Sequence, residues 1–224
     1  MTNFFIVDSG FQKSFYSLYT KHITPIGDIY SHYHGNAVLQ ALIFTLQQNH
    51  IFHDSHIYIS SIYNSSFEQA LSSVLPYISS TSINILSLSL SSSQEVSNSL
   101  TSSFNHIFSA YDASNPFLND LSNAFSCSNR HPNADFRLPI DYSLFGISGN
   151  SLITPIIAVL YTMNPSLSHN IFVPPYLHPD FVKSSFLIQD KLKQPLSYPK
   201  CPKCYTNVKP SDIFCPHCHH RLRF

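Results

Sequence analysis

Charge is scarce in this chain. Asp, Glu, Lys and Arg make up 11% of its 224 residues, and 12 basic side chains are matched by 12 acidic ones. Such a balance sets up no global field toward nucleic acid or a membrane surface. Glutamate occurs only at Glu68 and Glu95, so no paired carboxylates point to acid–base work. With five glycines in all, the sequence holds neither a phosphate-cradling glycine loop nor a G-x-S-x-G elbow. The first eight residues lack a basic region and contain four consecutive apolar residues, Phe4 to Val7, which argues against a secretory leader. The most hydrophobic run, Leu152 to Met163, is too short to span a bilayer and contains Pro155. Outside the tail there is one cysteine, Cys127, which excludes a disulfide-dense secreted scaffold and favours a reducing, intracellular compartment. No repeat with a period of 20–50 residues is evident.

What is present is concentrated near the end. Cys201-Pro-Lys-Cys204 is followed, after ten residues, by Cys215-Pro-His-Cys218. Two CxxC turns at this separation suit a tetrahedral four-thiolate shell, so the spacing predicts one structural zinc ion held by Cys201, Cys204, Cys215 and Cys218. The tail is also basic. Seven of the twelve Lys and Arg (Lys191, Lys193, Lys200, Lys203, Lys209, Arg221 and Arg223) lie from residue 190 onward.

The rest of the chain alternates strand and helix patterns. Phe4 to Val7 reads as a buried first strand, ending at Asp8-Ser-Gly10. Apolar residues at 38, 39, 42, 43 and 46 predict a helix over 37–46, which Gly35 and Asn36 can start. Ile57 to Tyr63 reads as a strand, Phe67 to Leu75 as a helix closed by Pro76, and Ile83 to Leu90 as a strand. Leu100, Phe104, Ile107, Phe108 and Tyr111 predict a helix within Val96 to Tyr111. Asn115 to Gly149 predicts loops with at most one short strand. A helix resumes from Ile153 to Tyr161, with Pro155 tolerable only in its first turn. Phe172 to Pro179 predicts an extended linker. The alternation implies a doubly wound α/β sheet, with Asp8 at the carboxyl edge where ligands usually bind.

Individual site candidates read blandly. Asp8-Ser-Gly-Phe-Gln12 lacks both serines of an Asp-x-Ser-x-Ser metal site, so Asp8 is expected to cap a loop or helix start. His32 and His34, and the set His50, His53 and His56, read as surface or loop histidines. Cys127 reads as an inert loop thiol. His217, His219 and His220 adjoin the quartet and read as hydrogen-bonding or partner-contact residues. No catalytic constellation is visible, and the chain is expected not to be an enzyme.

The order of these segments resembles one family. A first strand ending in Asp8, the run Val38 to Ser60, Asn105-His-Ile-Phe-Ser-Ala110, Asn150 to Leu160, Pro174-Pro-Tyr-Leu-His178-Pro-Asp180-Phe, and the ten-residue gap between CxxC pairs are together similar to the small von Willebrand-A subunit of general transcription factor IIH. The resemblance implies a von Willebrand-A-like, doubly wound, mostly parallel α/β sheet over residues 1–170, an extended linker over 171–198 and a four-cysteine zinc ribbon over 199–224. It implies a non-catalytic nuclear scaffold within the TFIIH core, in RNA polymerase II transcription initiation and nucleotide excision repair. Its partners would be other core subunits, chiefly the larger von Willebrand-A/zinc subunit, in a hetero-oligomer that touches nucleic acid only indirectly and no membrane. Family members often carry ligands for a second metal before the quartet. Here Ser184 to Ile188 supplies none, so one zinc is expected. The alternatives from the residues are a zinc-ribbon nucleic-acid binder using the basic tail, and a hydrolase using a metal at Asp8.

Overall fold

The computed structural model describes residues 1–62, 66–89, 101–111, 122–183 and 218. The chain divides into two units, Met1–Pro179 and Asp180–Phe224. In the first, the strands are β1 (Thr2–Asp8), β2 (Ile23–Ile26), β3 (Ser55–Ser61), β4 (Ile83–Leu88), β5 (His106–Ala110), β6 (Ala124–Ser128) and β7 (Phe136–Arg137). The helices are α1 (Lys13–Tyr16), α2 (Tyr33–Gln48), α3 (Phe67–Val74) and α4 (Asn150–Met163). Among the described residues the strands form one sheet in the order β2-β3-β1-β4-β5-β6-β7, parallel at every pairing.

Parallel strands in such a sheet are covered on both faces, and their sequences become continuous apolar runs. Strand β1 does this with Phe4, Phe5, Ile6 and Val7, all fully buried. Side chains alternate between faces along a strand. Phe5 and Val7 join Leu86, Leu88 and Ile107 beneath Phe67, Ala70, Leu71 and Val74 of α3. Phe4, Ile6 and Asp8 therefore face the other side, where α2 meets β1 and α4. Helix α2 is buried almost all round, from Ala37 to Leu46. β3 lies on one side of β1 and β4 on the other, so the strand order reverses at β1. In open α/β sheets the crevice at such a reversal is the usual ligand position.

Several expectations are corrected by these elements. Residues 106–110 form β5, not the end of a helix. Ile107 and Phe108 are both fully buried, and a strand covered on both faces loses the alternation that separates strand from helix. Of the rest of that expected helix, 96–100 lies outside the described residues, Thr101 is helical, and 102–105 turns into β5. The stretch 115–149 contributes two strands, β6 and β7, rather than at most one. β2 has no counterpart in the sequence reading. Its Pro25 removes a ladder donor, which an edge strand tolerates. In α4, Pro155 is the sixth residue, beyond the first turn, and leaves the Ser151 carbonyl without its usual helical donor. Thr154 Oγ1 donates to the adjacent Asn150 carbonyl at 2.8 Å.

Candidate functional site

The carboxyl end of β1 carries the densest polar chemistry in the unit. Asp8, its last residue, is fully buried. Its Oδ1 accepts three hydrogen bonds, from Ser9 N at 2.6 Å, Ser9 Oγ at 2.9 Å and His34 Nδ1 at 2.9 Å. Its Oδ2 is buried with no hydrogen-bond partner. A buried carboxylate oxygen without a protein partner is uncommon and calls for an explanation.

Ser9 Oγ lies 2.9 Å from His32 Nδ1 as well. His32 is the N-cap of α2, and its Nδ1 accepts from the backbone N–H of His34 at 3.2 Å. An Nδ1 that accepts carries a lone pair, which the Ser9 hydroxyl can reach only by turning its one proton away from Asp8 Oδ1 and sharing that lone pair with His34 N–H. The His32 ring stacks on Tyr33, with centroids 4.8 Å apart, which restrains its plane. Because His32 caps a 16-residue helix, the positive end of the α2 dipole meets the cluster.

Close backbone packing holds the loop after β1 against α2. A Cβ on Gly35 would stand 2.1 Å from the Gly10 carbonyl oxygen, and one on Gly10 would stand 2.3 Å from the Tyr30 carbonyl oxygen. Neither position admits a side chain without backbone movement. Phe11 N donates to that Tyr30 oxygen at 2.7 Å. Gln12 and Asn36 bond each other twice, at 2.8 and 2.7 Å. From β3, Ser61 Oγ donates to the Ser9 carbonyl at 3.1 Å.

The hydrogen bond to Asp8 raises the His34 pKa above its ordinary value. Burial opposes this, and the carboxylate charge adds to it. His34 is therefore held toward its protonated form beside a buried acid.

Next to this cluster, a cavity of about 260 Å³ opens beside β2, β3 and the first turns of α3. Its lining includes Asp28, Tyr30, Ser60, Ser61, Gln69 and Ser73. Ser61 belongs to both places, since it is the register partner of Asp8 across the β1–β3 ladder.

The sequence singles out Asp8 and gives it a capping role, and it leaves His32 and His34 on the surface. The fold brings them together with Ser9 across 23 and 26 residues of sequence. No spacing rule reaches that far. The only local hint is polar residues at a strand end and just before a helix. Among the described residues the other histidines do not converge on a metal-holding site. His56 lies in β3 and meets Thr24 Oγ1 at 2.8 Å, while His53 stacks edge-on against His22. Cys127 lies in β6 rather than in a loop, is fully buried, and has its thiol pKa pushed well up by that burial. A thiol so placed yields little thiolate.

The expected zinc is not carried forward. Among the described residues no group of three or more His, Cys, Asp or Glu is placed to hold a metal ion. Of the four expected ligands, Cys201, Cys204 and Cys215 lie outside the described residues, and Cys218 is within them, half-buried.

No family model and no curated protein matches the chain. Among solved structures it is similar to one titled "S41 Psychrophilic Protease", at 15% identity and a TM-score of 0.46 over 75% of this chain and 79% of that one. A likeness of that size assigns neither family nor chemistry. It does not point to the von Willebrand-A subunit of TFIIH, and the corresponding expectations are withdrawn: the family, the von Willebrand-A-like fold with an appended zinc module, the transcription and repair role, and the zinc-ribbon nucleic-acid alternative; the parallel α/β sheet itself is present. The expectation of a chain without catalytic machinery is also corrected, because hydroxyl, imidazole and carboxylate groups meet at Ser9.

Proposed function

We propose that the α/β unit is a hydrolase in which Ser9 is the nucleophile and His32 its general base. The observation that carries this reading is the Ser9 hydroxyl, 2.9 Å from His32 Nδ1 and 2.9 Å from the buried Asp8 carboxylate, at the carboxyl edge of the sheet. A nucleophile within hydrogen-bond reach of a base is the shared signature of activated hydroxyls.

The chemistry balances on these groups. Ser9 Oγ attacks the carbonyl carbon of a small ester as its proton passes to His32 Nδ1. The bond to the leaving oxygen breaks, and His32 returns the proton to that oxygen. Water, deprotonated by the same imidazole, then cleaves the acyl-serine. Asp8 is a positioning residue here. It fixes the Ser9 amide and hydroxyl, while its bond to His34 holds the start of α2 in place. Negative charge developing on the carbonyl oxygen is stabilised by the facing N-terminal end of α2.

The test is hydrolysis of p-nitrophenyl esters by the purified chain. Ser9→Ala is expected to abolish turnover, and His32→Ala to lower kcat by about 10²–10⁴-fold, the usual contribution of a positioned base. Both variants should keep the wild-type circular dichroism. Undiminished hydrolysis by folded Ser9→Ala would overturn the proposal.

A further inference from the structure

Farther along the same sheet, the loops that follow β5 and β6 meet. Asn150, the first residue of α4, clamps them together. Its Nδ2 donates to the Tyr111 carbonyl at 2.8 Å, and its Oδ1 accepts from Asn129 N at 3.2 Å. The Tyr111 and His131 rings stack there, with centroids 4.2 Å apart. Ser128 Oγ accepts from His131 N at 3.0 Å and Arg130 N at 3.3 Å, which fixes the start of the second loop. His131 Nδ1 accepts from Asn133 N at 3.3 Å, so the ring proton sits on Nε2 as an uncommitted donor.

Arg137 is the register partner of Ser128 across the β6–β7 ladder. Its backbone is held on the far side as well, with N donating to the His169 carbonyl at 2.7 Å and O accepting from Ile171 N at 2.8 Å. Phe136 packs against Phe125 and Tyr161 on the α4 face, so Arg137 takes the opposite face. Ile107 lies on that opposite face under α3, and Tyr111 follows it at an even spacing. Arg137 and the Tyr111–His131 stack therefore share one side of the sheet. Arg137 is half-buried, and its Nε is buried with no hydrogen-bond partner. Among the described residues no carboxylate pairs with it. Asp141 is taken by Arg130, and Asp135 Oδ2 accepts from Ser126 N and Ser126 Oγ, both at 2.7 Å. A half-buried guanidinium without a counter-charge has lost water and gained nothing from the protein in return.

We propose that Arg137 and His131 form a binding site for a phosphate group, free or esterified, at the carboxyl edge of β6 and β7. Both groups offer donors and positive charge can come only from their side, so the complement is an oxyanion. The guanidinium fork meets two oxygens at once. The His131 Nε2–H comes from a separate loop and so approaches from another direction, which suits a tetrahedral oxyanion better than a flat carboxylate. The site stands apart from the reading of Ser9 and does not depend on it.

The test is titration of the full chain with inorganic phosphate, methyl phosphate, acetate and chloride at matched ionic strength, following backbone amide resonances. Phosphate should shift the Ser128, Arg130, His131 and Arg137 amides saturably, and acetate and chloride should not. Arg137→Gln should weaken phosphate binding about tenfold, the usual worth of one hydrogen bond to a charged group. His131→Phe keeps a ring against Tyr111 but removes the Nε2 donor, and it too should weaken binding. Methyl phosphate binding as tightly as phosphate assigns the site to esters, and its exclusion assigns the site to the free ion. Acetate or chloride shifting the same amides with equal affinity overturns the proposal. So does phosphate binding that is unchanged in both folded variants. No step of this test needs ester turnover, so failure of Ser9 as nucleophile leaves its outcome intact.

Discussion

At Asp8 one carboxylate oxygen does most of the organising. Oδ1 gathers the Ser9 amide, the Ser9 hydroxyl and the His34 ring, all within 2.9 Å. The raised pKa of His34 makes this contact dependent on pH. A histidine whose folded pKa exceeds its unfolded value stabilises the fold fully below the unfolded value, about 6.5, and loses that contribution as pH rises through the folded value. His56 and His106 run the other way. Burial lowers their pKa values, so what they contribute is lost as pH falls below about 6.5. Comparison with His34→Gln isolates the first effect. The wild type should exceed the variant by about 2–4 °C in Tm at pH 5.5–6, corresponding to about 1 kcal/mol for a partly exposed pair, and the gap should shrink by pH 8. A gap that is flat or widens with pH would show that the Asp8–His34 contact is not an ion pair in solution. At this scale the sequence marked Asp8 and missed its neighbours. Each local segment reads as a cap or a surface histidine, and only the tertiary approach of α2 to β1 joins them.

Elements were legible where burial left a period to read. The strands at Phe4–Val7, Ile57–Ser61 and Ile83–Leu88, and the helices at 37–46 and 67–74, fall where apolar spacing puts them. The start of α2 was misplaced. His32 caps it through its side chain, and Gly35 and Asn36 already lie within the helix. The later strands were hidden for different reasons. β5 is buried on both faces and mimics helical spacing, β7 has only two residues, and Ser126 and Ser128 place hydroxyls at buried positions of β6. The first turn of α2 gives the sharpest test of how elements build the site. Gly35→Ala sets a methyl group 2.1 Å from the Gly10 carbonyl. It should destabilise the fold by about 1–3 kcal/mol, the usual cost of forcing atoms into a packed site. It should also lower ester hydrolysis, because the loop carrying Ser9 must move. Chemical denaturation alongside kinetics checks both. Wild-type values in both would mean that the loop and helix do not pack this closely.

Across the whole molecule, a seven-stranded parallel sheet places its reversal point at β1 and aligns the carboxyl ends of β2, β3 and β1 along one edge. The nucleophile, its base and the adjoining cavity all lie on that edge, although the sequence provides them from segments around residues 8, 32 and 60. The loudest sequence motif, the paired CxxC turns, gave no warning of this. It directed attention to the second unit, whereas the chemistry of the first depends on long-range approach. Among the described residues no helix is long and apolar enough to cross a membrane.

Whether Ser9 is a nucleophile can be settled by treating the full chain with a neutral fluorophosphonate and locating the adduct by peptide mass spectrometry. The account predicts one phosphonylated residue, Ser9, with labelling slowed strongly in His32→Ala and absent in Ser9→Ala. A folded chain that gives no adduct, or carries it on another serine, would contradict it.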